Sequence, residues 1–189
     1  MSERWRCFVA VPVVGELRAS LGAAMAIWRD DPGTEGLRWV HHGALHLTLA
    51  FLGPVEPDSI GGIKHQVEQA SGRHAPMIRN TGRLGAFARP GSARVLWHAV
   101  HDPDGELETL ATDLNDALGL GPTDRYRPHV TLARARRRSV DLRGWIEAAS
   151  AAAPEGTLPI QALDLMRSHL GGGPARYETL ASFRLGGHR

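Results

Sequence analysis

The chain writes nearly the same five letters twice, HLTLA at residues 46–50 and HVTLA at residues 129–133. Successive side chains of a β-strand point to opposite faces, so each run reads as a strand with His and Thr on one side and aliphatic residues on the other. His46 and Thr48 are set against Leu47 and Leu49, and His129 and Thr131 against Val130 and Leu132. One His-x-Thr arises easily by chance in a chain with 10 histidines, whereas two matched runs of five do not. Any fold for this chain must bury two apolar strand faces and leave two His/Thr faces for something polar.

The surrounding parts repeat as well. In each half, a helix with an apolar stripe precedes a turn rich in Pro or Gly, which leads into the His/Thr strand. GELRASLGAAMAIWRD puts Leu17, Leu21, Met25 and Trp28 on one face; residues 102–120 do the same with Leu107, Leu110, Leu114 and Leu118. Strands are expected at 6–13 (RCFVAVPV), at about 45–52 closed by Gly53 and Pro54, in MIRNTGRLGAF, in ARVLWHAV and in HVTLAR. LPIQALDLMRSHL and ARYETLASFRL read as a closing strand pair joined by the turn GGGP. Further helices are expected over 57–71, with Asp58 or Ser59 as N-cap, and in VDLRGWIEAASAAA. Short turns between many strands demand antiparallel pairing, which gives an α+β class rather than a doubly wound parallel sheet. The expected organisation is one domain, residues 1–189, built of two intertwined lobes about an approximate two-fold axis, with one histidine motif in each.

Facing lobes would bring two imidazoles and two hydroxyls to one groove. Two imidazoles supply a base and an acid at neutral pH, the pair needed for in-line displacement at phosphorus without a metal. Hydroxyls and an arginine can hold the non-bridging oxygens. No carboxylate or cysteine stands at ligand spacing from the two histidines, so no metal and no cofactor is expected. The formal charge is +2 and Lys64 is the lone lysine, so an arginine-borne positive charge, including RARRRS at 134–139, permits an anionic partner. Cys7 has no partner for an internal disulfide, the first residues lack a signal-peptide layout, and no apolar run is long enough to span a bilayer. These features lead us to expect a cytoplasmic monomer with no membrane association and no obligate protein partner.

The extended motifs HLTLAFLG and RPHVTLAR resemble those of the two-histidine (2H) phosphoesterase superfamily, in its RNA 2′,3′-cyclic phosphodiesterase branch, historically called 2′-5′ RNA ligases. RCFVAV, WVHHGALHLTLAFLG, GAFARPGSARVLW and LMRSHLGGGPARYETL extend the likeness along nearly the whole chain. The resemblance implies a bilobal fold with antiparallel sheets lining a central groove and helices outside. It implies opening of RNA or nucleoside 2′,3′-cyclic phosphate ends to 2′-phosphomonoesters, with possible reverse 2′-5′ ligation. His46 is then the proton donor and His129 the proton acceptor, roles that the near-equivalent motifs do not themselves distinguish. Thr48, Thr131 and Arg134 would bind the phosphate, and Tyr126, which stands where the family commonly has phenylalanine, would contact the substrate by packing or stacking on a base. Phe8, Phe51, Phe87 and Trp97 offer further faces for a base. HAV after Trp97 departs from the small residue that the resemblance leads us to expect there. The alternatives are a noncatalytic nucleotide- or RNA-binding module, and an enzyme for another cyclic phosphate such as that of ADP-ribose.

Overall fold

Apolar alternation and helical stripes settle into thirteen elements in the computed structural model, which describes residues 3–121, 126–169 and 176–186. The strands are β1 (Trp5–Pro12), β2 (Leu37–Trp39), β3 (His46–Val55), β4 (Met77–Phe87), β5 (Val95–Val100), β6 (His129–Ala135), β7 (Gly156–Ile160), β8 (Ala162–His169) and β9 (Arg176–Arg184). The helices are α1 (Gly15–Arg29), α2 (Ile60–Ser71), α3 (Glu106–Ala117) and α4 (Arg143–Ser150).

All strand pairs are antiparallel, in the order β7-β4-β5-β6-β3-β1-β8-β9, with β2 added to β6. The order is its own mirror image about the β6/β3 seam. There the two histidine strands meet through a single residue pair, Leu47 opposite Val130, which are the equivalent positions of the two motifs. The molecule is therefore bilobal and α+β, with one continuous nine-stranded antiparallel sheet that has four strands on either side of that seam and β2 added to β6. Each lobe borrows a helix from the other half of the chain. α1 leaves β1 and packs on β7 and, through Trp28, edge-on against Trp145 of α4 at 5.8 Å between centroids. α3 leaves β5 and packs on β3 and α2.

The stripes behind this exchange are as the spacing dictates. Leu17, Leu21, Met25 and Trp28 are buried, and Leu107, Leu110 and Leu114 fully so; each contributes roughly 1.5–3 kcal/mol by leaving water. Leu118 is only half-buried, because α3 ends at Ala117 and Leu118 becomes its C-cap. α3 also starts later than expected. Residues 102–105 serve as its cap, with the Asp102 carboxylate accepting from the backbone N–H groups of Leu107 and Glu108 at 3.1 and 2.8 Å.

Two strand boundaries differ from expectation. The first histidine strand does not close at Gly53-Pro54 but runs to Val55, because Gly53 adopts a positive φ of 71° that lets the strand bend and stay paired with β1. LPIQALDLMRSHL is not one strand: it breaks at Gln161 into β7, an edge of one lobe, and β8, which pairs with β1 in the other. The GGGP turn and part of PTDRYRP lie outside the described residues. Among the described residues no helix is long and apolar enough to cross a membrane, and Cys7 is buried.

Candidate active site

Strict alternation would put His129, Thr131 and Ala133 on one face of β6 and Arg134 on the opposite, apolar face. A bulge changes this. Trp97 pairs with Thr131 but Leu96 pairs with Ala133, so Leu132 is an extra residue; Leu132 and Ala133 are both buried, and Arg134 turns to the histidine face. β3 does the same one motif earlier. Ala10 pairs with Thr48 and Val9 with Ala50, Leu49 is extra, and Phe51 emerges on the histidine face, half exposed at 50%. The carbonyls freed by the two bulges find donors elsewhere: Leu49 accepts from the buried Asn115 side chain at 3.2 Å, and Leu132 from the Val40 backbone at 2.8 Å.

Both imidazoles are held alike. His46 Nδ1 bonds the Ala44 carbonyl at 2.8 Å and His129 Nδ1 bonds the Arg127 carbonyl at 2.7 Å, each two residues upstream. A carbonyl only accepts, so Nδ1 carries the hydrogen in each ring, and Nε2 is the nitrogen left for chemistry. Aromatic rings fix both orientations. Phe8 lies 4.9 Å and Tyr177 5.0 Å from His46, while Phe87 lies 4.8 Å from His129, edge-on, with Trp97 at 6.3 Å. The Trp97 ring lies across Gly85, where any Cβ would collide with it.

Burial holds both histidines below their ordinary value near 6.5, opposed by the carbonyl hydrogen bonds and reinforced by the charge of Arg134. His46 also feels His129 across the groove. Arg134, on an exposed position of β6, therefore acts on both imidazoles. A phosphate placed among these groups would reverse that bias, since an anion favours the protonated ring.

A cavity adjoins each histidine. The one beside His129, of about 430 Å³, is walled by Thr48, Phe51, Phe87, Asn115, Leu120 and Tyr126. The one beside His46, of about 650 Å³, is walled by His41, Asp164, Met166, Arg176, Tyr177 and Thr179. Thr48 thus shares a cavity with His129 rather than with its own motif partner, as antiparallel pairing about Leu47 and Val130 requires.

The structure brings His46, His129, Thr48, Thr131 and Arg134 to one groove face. Tyr126 has a narrower place. Its hydroxyl donates to the Thr48 carbonyl at 2.9 Å, and burial raises its pKa, so its ring walls the cavity while the hydroxyl braces β3. His98, the departure noted after Trp97, does not reach the groove: it is wholly buried on the opposite face of β5, and Ala99 takes the groove side. The sequence reading did not single out Tyr177, Asp164 or Arg176, which line the His46 cavity from β8 and β9. Among the described residues no group of three or more His, Cys, Asp or Glu is placed to hold a metal ion.

The chain is similar to known proteins along most of its length. The family model for the 2′-5′ RNA ligase superfamily matches residues 13–172. An RNA 2′,3′-cyclic phosphodiesterase of Archaeoglobus fulgidus is 30% identical over 140 residues, covering 72% of this chain and 76% of the relative. One of Geobacillus stearothermophilus is 29% identical over 189 residues, covering 97% of this chain and 58% of the relative. Among solved structures, Escherichia coli LigT complexed with 3′-AMP superposes with a TM-score of 0.75 at 26% identity, covering 97% of this chain and 99% of that one. A protein of Thermus thermophilus gives 0.77 at 25% identity, covering 97% and 100%.

Proposed function

The chain belongs to the 2′-5′ RNA ligase superfamily, and from that premise we propose that it is a metal-independent phosphodiesterase opening 2′,3′-cyclic phosphate ends of RNA or nucleosides to 2′-phosphomonoesters. The reading takes residues 1–189 as one catalytic unit of two exchanged lobes. The observation that carries it is the matched pair of imidazoles, each with Nδ1 tied to a backbone carbonyl and Nε2 free for proton transfer.

In the forward reaction neutral His129 takes a proton from water at Nε2 as the water oxygen bonds phosphorus. The bond from phosphorus to the 3′ oxygen breaks in line, and His46, protonated at Nε2, gives that oxygen its proton. His46 leaves the step neutral and His129 protonated, and exchange with solvent resets them. Thr48 and Thr131 donate hydroxyl hydrogens to the non-bridging oxygens, and the Arg134 guanidinium offsets the charge that grows on them. With a 5′ hydroxyl in place of water, the same forward step forms a bond from phosphorus to the 5′ oxygen, breaks the bond to the 3′ oxygen and leaves a 2′-5′ phosphodiester, which accounts for a ligase reaction.

General acid or base catalysis by one side chain is worth about 10²–10⁴ in rate, so His46→Ala and His129→Ala are each expected to lower kcat on adenosine 2′,3′-cyclic phosphate by about 10³. Both variants should melt as the parent does, and EDTA should leave the parent rate unchanged. Full activity in either variant, or loss of activity with EDTA, contradicts the proposal. Ligand binding by calorimetry with no turnover of any cyclic phosphate would favour a pure binding module instead.

A further inference from the structure

Arg38 and Arg134 are direct cross-strand partners on β2 and β6, and both are exposed. Like charges set opposite one another on antiparallel strands destabilise the pair unless something neutralises them. Among the described residues neither guanidinium has an ion-pair partner, although arginines elsewhere in the chain, Arg79 and Arg143 among them, are paired with acids. Arg38 has no part in the chemistry proposed above.

The antiparallel pair Leu47–Val130 sets the part of β6 beyond Val130 on the His46 side, and Arg38 stands opposite Arg134 there; the charges of Arg134, Arg38 and Arg6 also bear on the Tyr177 hydroxyl. Tyr177 packs on His46 and lines the larger cavity, and Arg176 lines that cavity beside it. The two ends of the groove therefore differ in kind. The His129 end presents Phe51, Phe87, Leu120 and the ring of Tyr126, surfaces for a flat base. The His46 end presents Arg38, Arg176 and the Tyr177 hydroxyl, donors for an anion. Asp164 lines this second cavity too; its carboxylate only accepts, which suits a ribose hydroxyl and not a phosphate.

The geometry points to a second phosphate seat at the His46 end, formed by Arg38 beside Arg134 with Arg176 and Tyr177. It takes the phosphate on the 5′ side of the terminal nucleoside while the cyclic phosphate lies between the histidines. The inference rests on the phosphodiesterase reading and sharpens its substrate: the end of an RNA chain, rather than a free nucleoside cyclic phosphate.

The test compares adenosine 2′,3′-cyclic phosphate carrying a 5′-hydroxyl with the same compound carrying a 5′-phosphate, in the whole protein. A charge-assisted hydrogen bond to the added phosphate should raise kcat/KM about ten-fold. The advantage of the 5′-phosphorylated substrate should shrink as salt is raised, because ions screen the contact between the phosphate and the guanidinium. Arg38→Ala should bring the ratio of the two substrates close to one, Arg38→Lys should restore part of it, and Arg18→Ala on the exposed face of α1 should leave it as in the parent. Equal kcat/KM for the two substrates in the parent, or an unchanged ratio in Arg38→Ala, overturns the seat and leaves the phosphodiesterase reading standing. Hydrolysis of neither substrate overturns both.

Discussion

The lobe carrying His46 and the lobe carrying His129 share a skeleton and differ in what they hang on it. Both have a strand with a bulge after the threonine, an imidazole tied to a carbonyl two residues upstream, and a flanking aromatic jacket. Five residues beyond each histidine, at the position each bulge turns into the groove, one lobe has Phe51 and the other Arg134. Symmetry therefore supplies two equivalently held imidazoles, which the proposed mechanism uses for proton transfer. The departures from symmetry give the groove its direction, an aromatic end and a cationic end, and a direction is what an asymmetric ester needs.

Removing the cationic departure should have the largest effect. Loss of one preorganised group that stabilises transition-state charge costs about 10²–10³ in kcat, so Arg134→Ala is expected to lower kcat about a hundred-fold. A change in KM with kcat intact would show that Arg134 only helps binding.

A second departure lies in the core. His98 pairs with Val130 as Val11 pairs with Leu47, so the two lobes place histidine and valine at equivalent positions. His98 is wholly buried with neither ring nitrogen hydrogen-bonded, and burial, with the charge of His101, pushes its pKa down to about 4. The unfolded chain binds this proton from about pH 6.5 downward and the folded one does not until about pH 4, so stability is full above 6.5 and is lost as the pH falls towards 4. At pH 5 the loss from this one group is about 2 kcal/mol. His98→Val, which copies the other lobe, should remove that part of the pH dependence in calorimetric melts at pH 7.5 and 5; an unchanged pH dependence would show that His98 is not its source.

The smallest effect is expected at the aromatic end. Stacking of a base on an aromatic ring is worth about 1–3 kcal/mol, so Phe51→Ala should raise KM about ten-fold and leave kcat nearly unchanged. With the Arg134 result this would split the two equivalent positions into one that binds and one that accelerates.

The paired motifs were legible because alternation on a strand is a local rule and the rule was written twice. The helix stripes were legible for the same reason, through Leu107, Leu110 and Leu114. Alternation failed where a bulge inserts a residue: nothing local in HLTLAF or HVTLAR says that Leu49 or Leu132 is extra, and the likeness to a family, not periodicity, placed Arg134 at the site. It failed again at Gln161, where an unbroken apolar pattern hides a crossing from one lobe to the other, because β7 pairs with β4 and β8 with β1, far apart in the strand order. Tyr177 and Arg38 reach the groove only through tertiary pairing of β9 and β2, which no window of sequence contains.

The central claim is that two equivalent histidines do opposite work, and a change of leaving group tests it most directly. A 4-nitrophenyl phosphodiester of a nucleoside expels a phenolate that needs no proton, so a missing general acid costs little there and a missing base costs as much as before. His46→Ala should lose about 10³ in kcat on the 2′,3′-cyclic phosphate yet stay within about ten-fold of the parent on the nitrophenyl ester, while His129→Ala loses about 10³ on both. Equal losses for the two variants on both substrates, or the reverse pattern, would contradict the assignment of His46 as acid and His129 as base.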